Sequence, residues 1–130
     1  MKTDTMERQS TQHEQAVMRL CEEVTELLGH QEQEQLSWQA SRIDLMEALY
    51  TVYLMDTVRD RRGNSMTFMG MVRRACRLLH VAVPHNPYDC AARGRNRKGR
   101  ICSTYLDRYR HLLCEKHIDR PLWQEINYEK

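Results

Sequence analysis

The 130-residue chain has no run of about 18 apolar residues, so its sequence offers no membrane-spanning helix. Its first twenty residues, MKTDTMERQSTQHEQAVMRL, lack the apolar stretch and small-residue cleavage site of a secretory signal, and the expected compartment is the cytoplasm. The chain also lacks any C-x-x-C pair. Its five cysteines, Cys21, Cys76, Cys90, Cys102 and Cys114, form an odd set scattered through apolar-periodic segments, which fits reduced, packed thiols. Cys114 and His117, with Cys90 and Cys102 not far away, match no zinc-ligand spacing. No glycine-rich phosphate loop is present, because Gly94 and Gly99 follow no strand and precede no K-S or K-T. The six histidines do not converge with a nucleophile and an acid by any recognisable spacing, so no enzyme is expected. Strand-like alternation is missing as well, apart from a short piece at Arg100 to Ser103, and the expected class is all-α.

With 41% hydrophobic residues, a chain of this length supports one modest core. Charge is distributed unevenly. Residues 1–35 hold three Lys/Arg against eight Asp/Glu, net −5, so residues 36–130 carry +7 of the total of +2. This divides the chain into an acidic amphipathic N-terminal helix (1–35) and a basic helical domain (36–130).

In the first segment Val17, Leu20, Val24 and Leu27 recur at steps of three and four, predicting one long amphipathic helix. Its apolar seam covers only about two heptads, so it must dock on the rest of the chain or pair with a second copy. Three roles stay open: a homodimer seam, a cover over the basic face, or a dock for another protein.

Ser41 and Asp44 then form a capping-box-like start to a helix running to about Asp60. Ile43, Leu45, Met46, Leu49, Tyr50, Val52, Tyr53, Leu54 and Val58 cover most of its circumference, which predicts the central, most buried helix. D-R-R-G-N-S supplies Gly63 for a left-handed turn and Ser65 as the next cap, a link of a few residues. A third helix, about Met66 to His80, buries Phe68, Val72, Ala75, Cys76 and Leu79 and turns Arg73, Arg74 and Arg77 away. Together these form a compact helix-turn-helix. Pro84 breaks the pattern, and Asn86, Pro87 and Asp89 start a new helix at Pro87. A last long helix starts at Ser103 or Thr104 with Leu106, Tyr109, Leu112 and Leu113 inward, and R-P-L-W-Q-E-I closes the chain over the core's end.

Between Arg93 and Arg100 the chain reads R-G-R-N-R-K-G-R, five cations in eight residues with no acid. Such a run needs water or a polyanion around it. If the helix continues through Gly94, Arg93, Arg97 and Arg100 share a face; if it stops, the octet is a basic loop or wing.

The ordered set W-x-x-S (Trp38 to Ser41), D-L-M-E-A-L-Y (Asp44 to Tyr50), G-N-S (Gly63 to Ser65), a helix ending L-L-H-V, R-N-R-K (Arg95 to Lys98) and T-Y-L-D (Thr104 to Asp107) resembles the RteC family. These are regulators carried by tetracycline-resistance conjugative transposons and their relatives. The likeness covers about residues 36–118. It implies a helical, winged-helix-like DNA-binding domain that activates element excision functions, with no enzyme activity and no cofactor.

On that reading the partner is double-stranded DNA. Arg93, Arg95 and Arg97 face the groove, where an arginine can pair bidentately with guanine. Lys98 and Arg100 hold phosphates, and Arg73, Arg74 and Arg77 contact the flanking backbone. The alternative is a helical protein–protein interaction module without nucleic acid, in which the acidic helix is the working surface and the octet a solvated loop. Single-stranded binding is weakened because no aromatic residue lies inside the octet; Tyr88 and Tyr105 only flank it.

Overall fold

A computed structural model describes residues 2–32, 34–97 and 104–129. Helix α1 spans Lys2–Leu28. Its predicted stripe is buried: Val17, Leu20, Val24 and Leu27 are at most 8% exposed and belong to the same core cluster as residues of the four later α-helices. The helix docks in cis. Each fully buried leucine stabilises the fold by about 1.5–3 kcal/mol, so the charge boundary near residue 35 divides sign but not packing.

After α1 the chain forms β1 (Gln35–Trp38), which pairs antiparallel with β2 (Ile126–Glu129) in the register Leu36↔Tyr128 and Trp38↔Ile126. The all-α expectation is met in its coarse form, since the chain is mostly helical, but this two-stranded ribbon is an addition. Four-residue strands are too short to show alternation, and a lone ribbon is marginal in water. Leu36 and Ile126, both buried, tie this one to the core.

Helix α2 spans Arg42–Met55, with the Ser41 hydroxyl accepting the Asp44 N–H. It supplies the centre of the core through Leu45, Met46, Ala48, Leu49 and Val52. It ends earlier than the expected Asp60 because Asp56 adopts a left-handed conformation (φ 54°) and returns its N–H to the Tyr53 carbonyl. The last turn leaves Tyr53, Leu54 and Met55 exposed.

The link to α3 (Phe68–Leu79) is correspondingly long, residues 56–67. It forms a small hairpin-like loop bridged at Arg59 and Ser65, in which Asp60 Oδ1 accepts the N–H groups of Arg62 and Asn64 and Gly63 takes φ 85°. With Ser65 used there, Thr67 caps α3 through the Gly70 N–H. The expected short turn between these helices is therefore corrected. At the other end His80, also left-handed, turns its ring to the Leu36 carbonyl at 2.6 Å.

Helix α4 runs Pro87–Arg95, starting where the sequence predicts: Asn86 caps the Asp89 N–H and proline occupies the first turn. Helix α5 (Tyr105–Arg110), capped by Thr104, continues into a π-helical turn, His111–Glu115. A 3₁₀ turn, Trp123–Glu125, leads into β2.

Candidate nucleic-acid interface

Helix α4 is seated on α2 by its small residues. Pro87, Ala91 and Gly94 are buried, and a methyl group on Gly94 would lie 2.8 Å from Glu47 Oε1 and 3.2 Å from Ile43 Cγ2. Glycine is required at that contact by the close approach of the two helices, and the helix runs through it despite its poor propensity.

Three buried carboxylates pin the elements around this seat. Asp44 accepts Arg97 Nη1 at 3.0 Å and Arg108 Nη2 at 2.6 Å, tying the end of α4 and the middle of α5 to the first turn of α2. Glu47, 1% exposed, accepts the N–H groups of Tyr105 and Leu106 at 2.9 Å each, capping α5 from a different helix. Glu23, also 1% exposed, accepts the Tyr109 hydroxyl at 2.6 Å and the N–H groups of Leu122 and Trp123 at 3.2 Å. Burial pushes the carboxyls of Glu47 and Glu23 above their ordinary value, and these hydrogen bonds oppose part of that rise. Desolvation likewise pushes the Cys76 thiol up to about 11, making it a poor nucleophile.

The predicted DNA-contacting residues divide into three groups. Arg73, Arg77, Arg93 and Arg95 are exposed. Arg77 lies 3.7 Å from Glu32, Arg93 pairs with Asp89 at 3.1 Å, and Arg95 lays its guanidinium 4.5 Å from the centre of the Tyr50 ring. Arg74 and Arg97 are instead used internally. Arg74 donates to the carbonyls of Leu28 and His30 and to Glu32, clamping the end of α1 to α3, and Arg97 serves Asp44. The expectation that Arg97 faces a groove is corrected: its helix ends at Arg95, and the chain turns its side chain inward to a buried acid. Lys98 and Arg100 lie outside the described residues.

Two features were missed by sequence reasoning. Arg59, read as part of the second helix, and Arg61, read as part of the turn, line a cleft of about 540 Å³ together with Arg74 and Arg77. Their signal was the R-D-R-R run itself, which is as cation-rich as part of the octet. The second is an aromatic cluster of Tyr50, Tyr53, Phe68 and Tyr88 beside Arg95. It combines three helices that no local pattern links.

The Trp38 indole donates to the Ser41 carbonyl at 2.8 Å, Thr104 caps α5 through the Asp107 N–H, and Asp44, Glu47, His80 and Arg97 make the long-range bonds above. Compared with protein-family models, curated proteins and solved structures, the chain gives no match. Among the described residues no helix is long and apolar enough to cross a membrane, and no three His, Cys, Asp or Glu side chains are grouped to hold a metal ion.

Proposed function

We propose that this chain is a cytoplasmic, sequence-specific double-stranded DNA-binding transcriptional regulator of a mobile element, RteC-like in kind, with α4 as the helix presented to DNA. In this reading α2 and α3 are the helix pair of a helix-turn-helix or winged-helix-like core, and α4, packed on α2, follows them as the reader. The observation that supports it is the seating of α4: its small face is locked on α2 through Gly94 while Arg93 and Arg95 remain on the solvent side. A rigid helix offering arginines to solvent suits base-edge contact. Arg73 and Arg77 on α3, with Arg59 and Arg61 on the preceding loop, would contact backbone phosphates.

If about four cations contact phosphates, affinity falls with salt at a log–log slope of about −4 per monomer. A titration of duplex DNA across salt tests this, and a slope near zero removes the reading. Dimerisation, if α1 provides it, would use the face bearing the exposed Met18, because Val17, Leu20, Val24 and Leu27 are occupied in cis.

One observation favours the second reading, a protein–protein interaction module. Met18, Leu54 and Met55 are 63%, 57% and 49% exposed, and Met18 and Met55 line an apolar cleft of about 530 Å³ between α1 and the end of α2. Purification separates the readings: nucleic acid carried through at low salt supports the first, and a salt-insensitive protein complex supports the second.

A further inference from the structure

Four rings meet at the surface where α2, α3 and α4 converge. Tyr88 lies 4.7 Å from Phe68, Tyr50 lies 5.2 Å from Phe68, Tyr50 and Tyr53 are 5.9 Å apart, and Tyr50 and Tyr88 are 6.2 Å apart. Packing accounts for Phe68, which is 1% exposed. It does not account for Tyr88 and Tyr53, which remain 50% and 37% exposed. Tyr88 and Arg95 are two turns apart on α4, so they share a face of that helix. The Arg95 guanidinium already covers Tyr50 at 4.5 Å, a cation–π contact that holds this long side chain beside the open rings.

Partly exposed tyrosine rings beside an arginine suit a nucleobase with its phosphate. Inside an intact duplex the base faces are stacked on one another, so a ring can stack only on a base that has left the helix. Resting on the DNA-binding reading above, we infer that Tyr88 and Tyr53, with Arg95, form a site for an unpaired base, in a bulge, a melted step or a single strand. Charge favours nucleic acid over a protein partner here. The acids near these tyrosines in the chain, Asp89 and Asp56, are paired with Arg93 at 3.1 Å and Arg59 at 3.5 Å, within a segment of the chain that carries +7.

The test is fluorescence anisotropy on the full-length chain with three labelled probes: a perfect duplex of about 20 base pairs, the same duplex with a bulge of about three nucleotides, and one of its strands alone. Since stacking on an aromatic side chain changes affinity by roughly five- to a hundredfold per base, the bulged duplex should bind about tenfold or more tighter than the perfect one. Tyr88→Ala should abolish that preference while leaving perfect-duplex affinity within about twofold, and Tyr88→Phe, which keeps the ring face, should retain it. The perfect duplex thus controls for folding in each variant. Salt-dependent duplex binding without a bulge preference overturns this inference and leaves the DNA-binding reading standing. Absence of binding to all three probes overturns both. If Tyr88→Ala leaves every nucleic-acid affinity unchanged but abolishes self-association in sedimentation, the rings form a protein contact and the inference is wrong.

Discussion

Arg97 and Asp44, 53 positions apart in the sequence, meet at 3.0 Å with only 5% of the Asp44 side chain exposed. An arginine drawn from the most cation-rich stretch of the chain therefore acts as the counter-ion of a buried acid, sharing that task with Arg108 at 2.6 Å. Removing the acid leaves two arginines without their partner, and removing Arg97 leaves the acid half-served. Asp44→Ala should destabilise the protein by about 3 kcal/mol or more, and Arg97→Ala by about 1–2 kcal/mol. In urea denaturation of both single variants and the double variant, the costs should not add, because the two changes break the same contact.

Gly94→Ala sets two effects against each other. Helix propensity gains up to about 1 kcal/mol. The new methyl, however, would sit 2.8 Å from Glu47 Oε1 and 3.0 Å from Glu47 Cβ, and forcing apart a packed seat costs about 1–3 kcal/mol. Because Glu47 is held by the N–H groups of Tyr105 and Leu106, it has little freedom to move, so the clash should win. The melting temperature should fall.

These cases show where the sequence was legible and where it was not. The start of α4 could be read because Asn86, Pro87 and Asp89 act within one turn. The α1 stripe could be read because helical periodicity is local, although whether it was filled in cis or in trans could not. Thr67 and Ser65 are equally good caps two residues apart, and the choice depends on the Arg59–Ser65 bridge, a tertiary fact. The ribbon pairs residues at opposite ends of the chain and has no local signature. Arg97 looked like its neighbours in the octet because a long-range partner leaves no mark on the local pattern. Glu47 did carry a signal, an acid flanked by Met46, Ala48 and Leu49 on the most apolar helix.

The buried acids also predict a pH dependence. The Glu47 carboxyl is held above its ordinary value of 4.5 by burial, so the folded protein binds that proton more tightly than the unfolded chain does. Its protonation therefore contributes stability that is fully present below about pH 4.5 and is lost as pH rises through the folded value. Glu47→Gln does not titrate. The stability lead of wild type over this variant should shrink between pH 4 and pH 7, as followed by denaturant midpoints, and the Glu23 and Glu47 carboxyl carbons should titrate above the usual carboxylate range by NMR.

Deleting residues 1–33 should unfold the rest of the chain. It would strip Leu20, Val24 and Leu27 from the core and take Glu23 from the N–H groups of Leu122 and Trp123. The milder change Leu20→Ala, at a fully buried site, should cost about 2–5 kcal/mol. Circular dichroism of the truncated chain and denaturation of the point variant check both.

The most direct test of DNA binding through α4 is the salt dependence of duplex affinity in wild type, the double variant Arg93→Ala with Arg95→Ala, and Arg74→Ala. Each phosphate contact contributes about −0.9 to the log–log slope. Wild type should show a slope of about −4, and the double variant a weaker affinity with a slope shallower by up to about 2, the full amount only if both arginines touch phosphate. Arg74, already bound to Leu28, His30 and Glu32, should leave the slope unchanged when replaced. A wild-type slope near zero, or a double variant indistinguishable from wild type in both slope and affinity, would contradict the assignment.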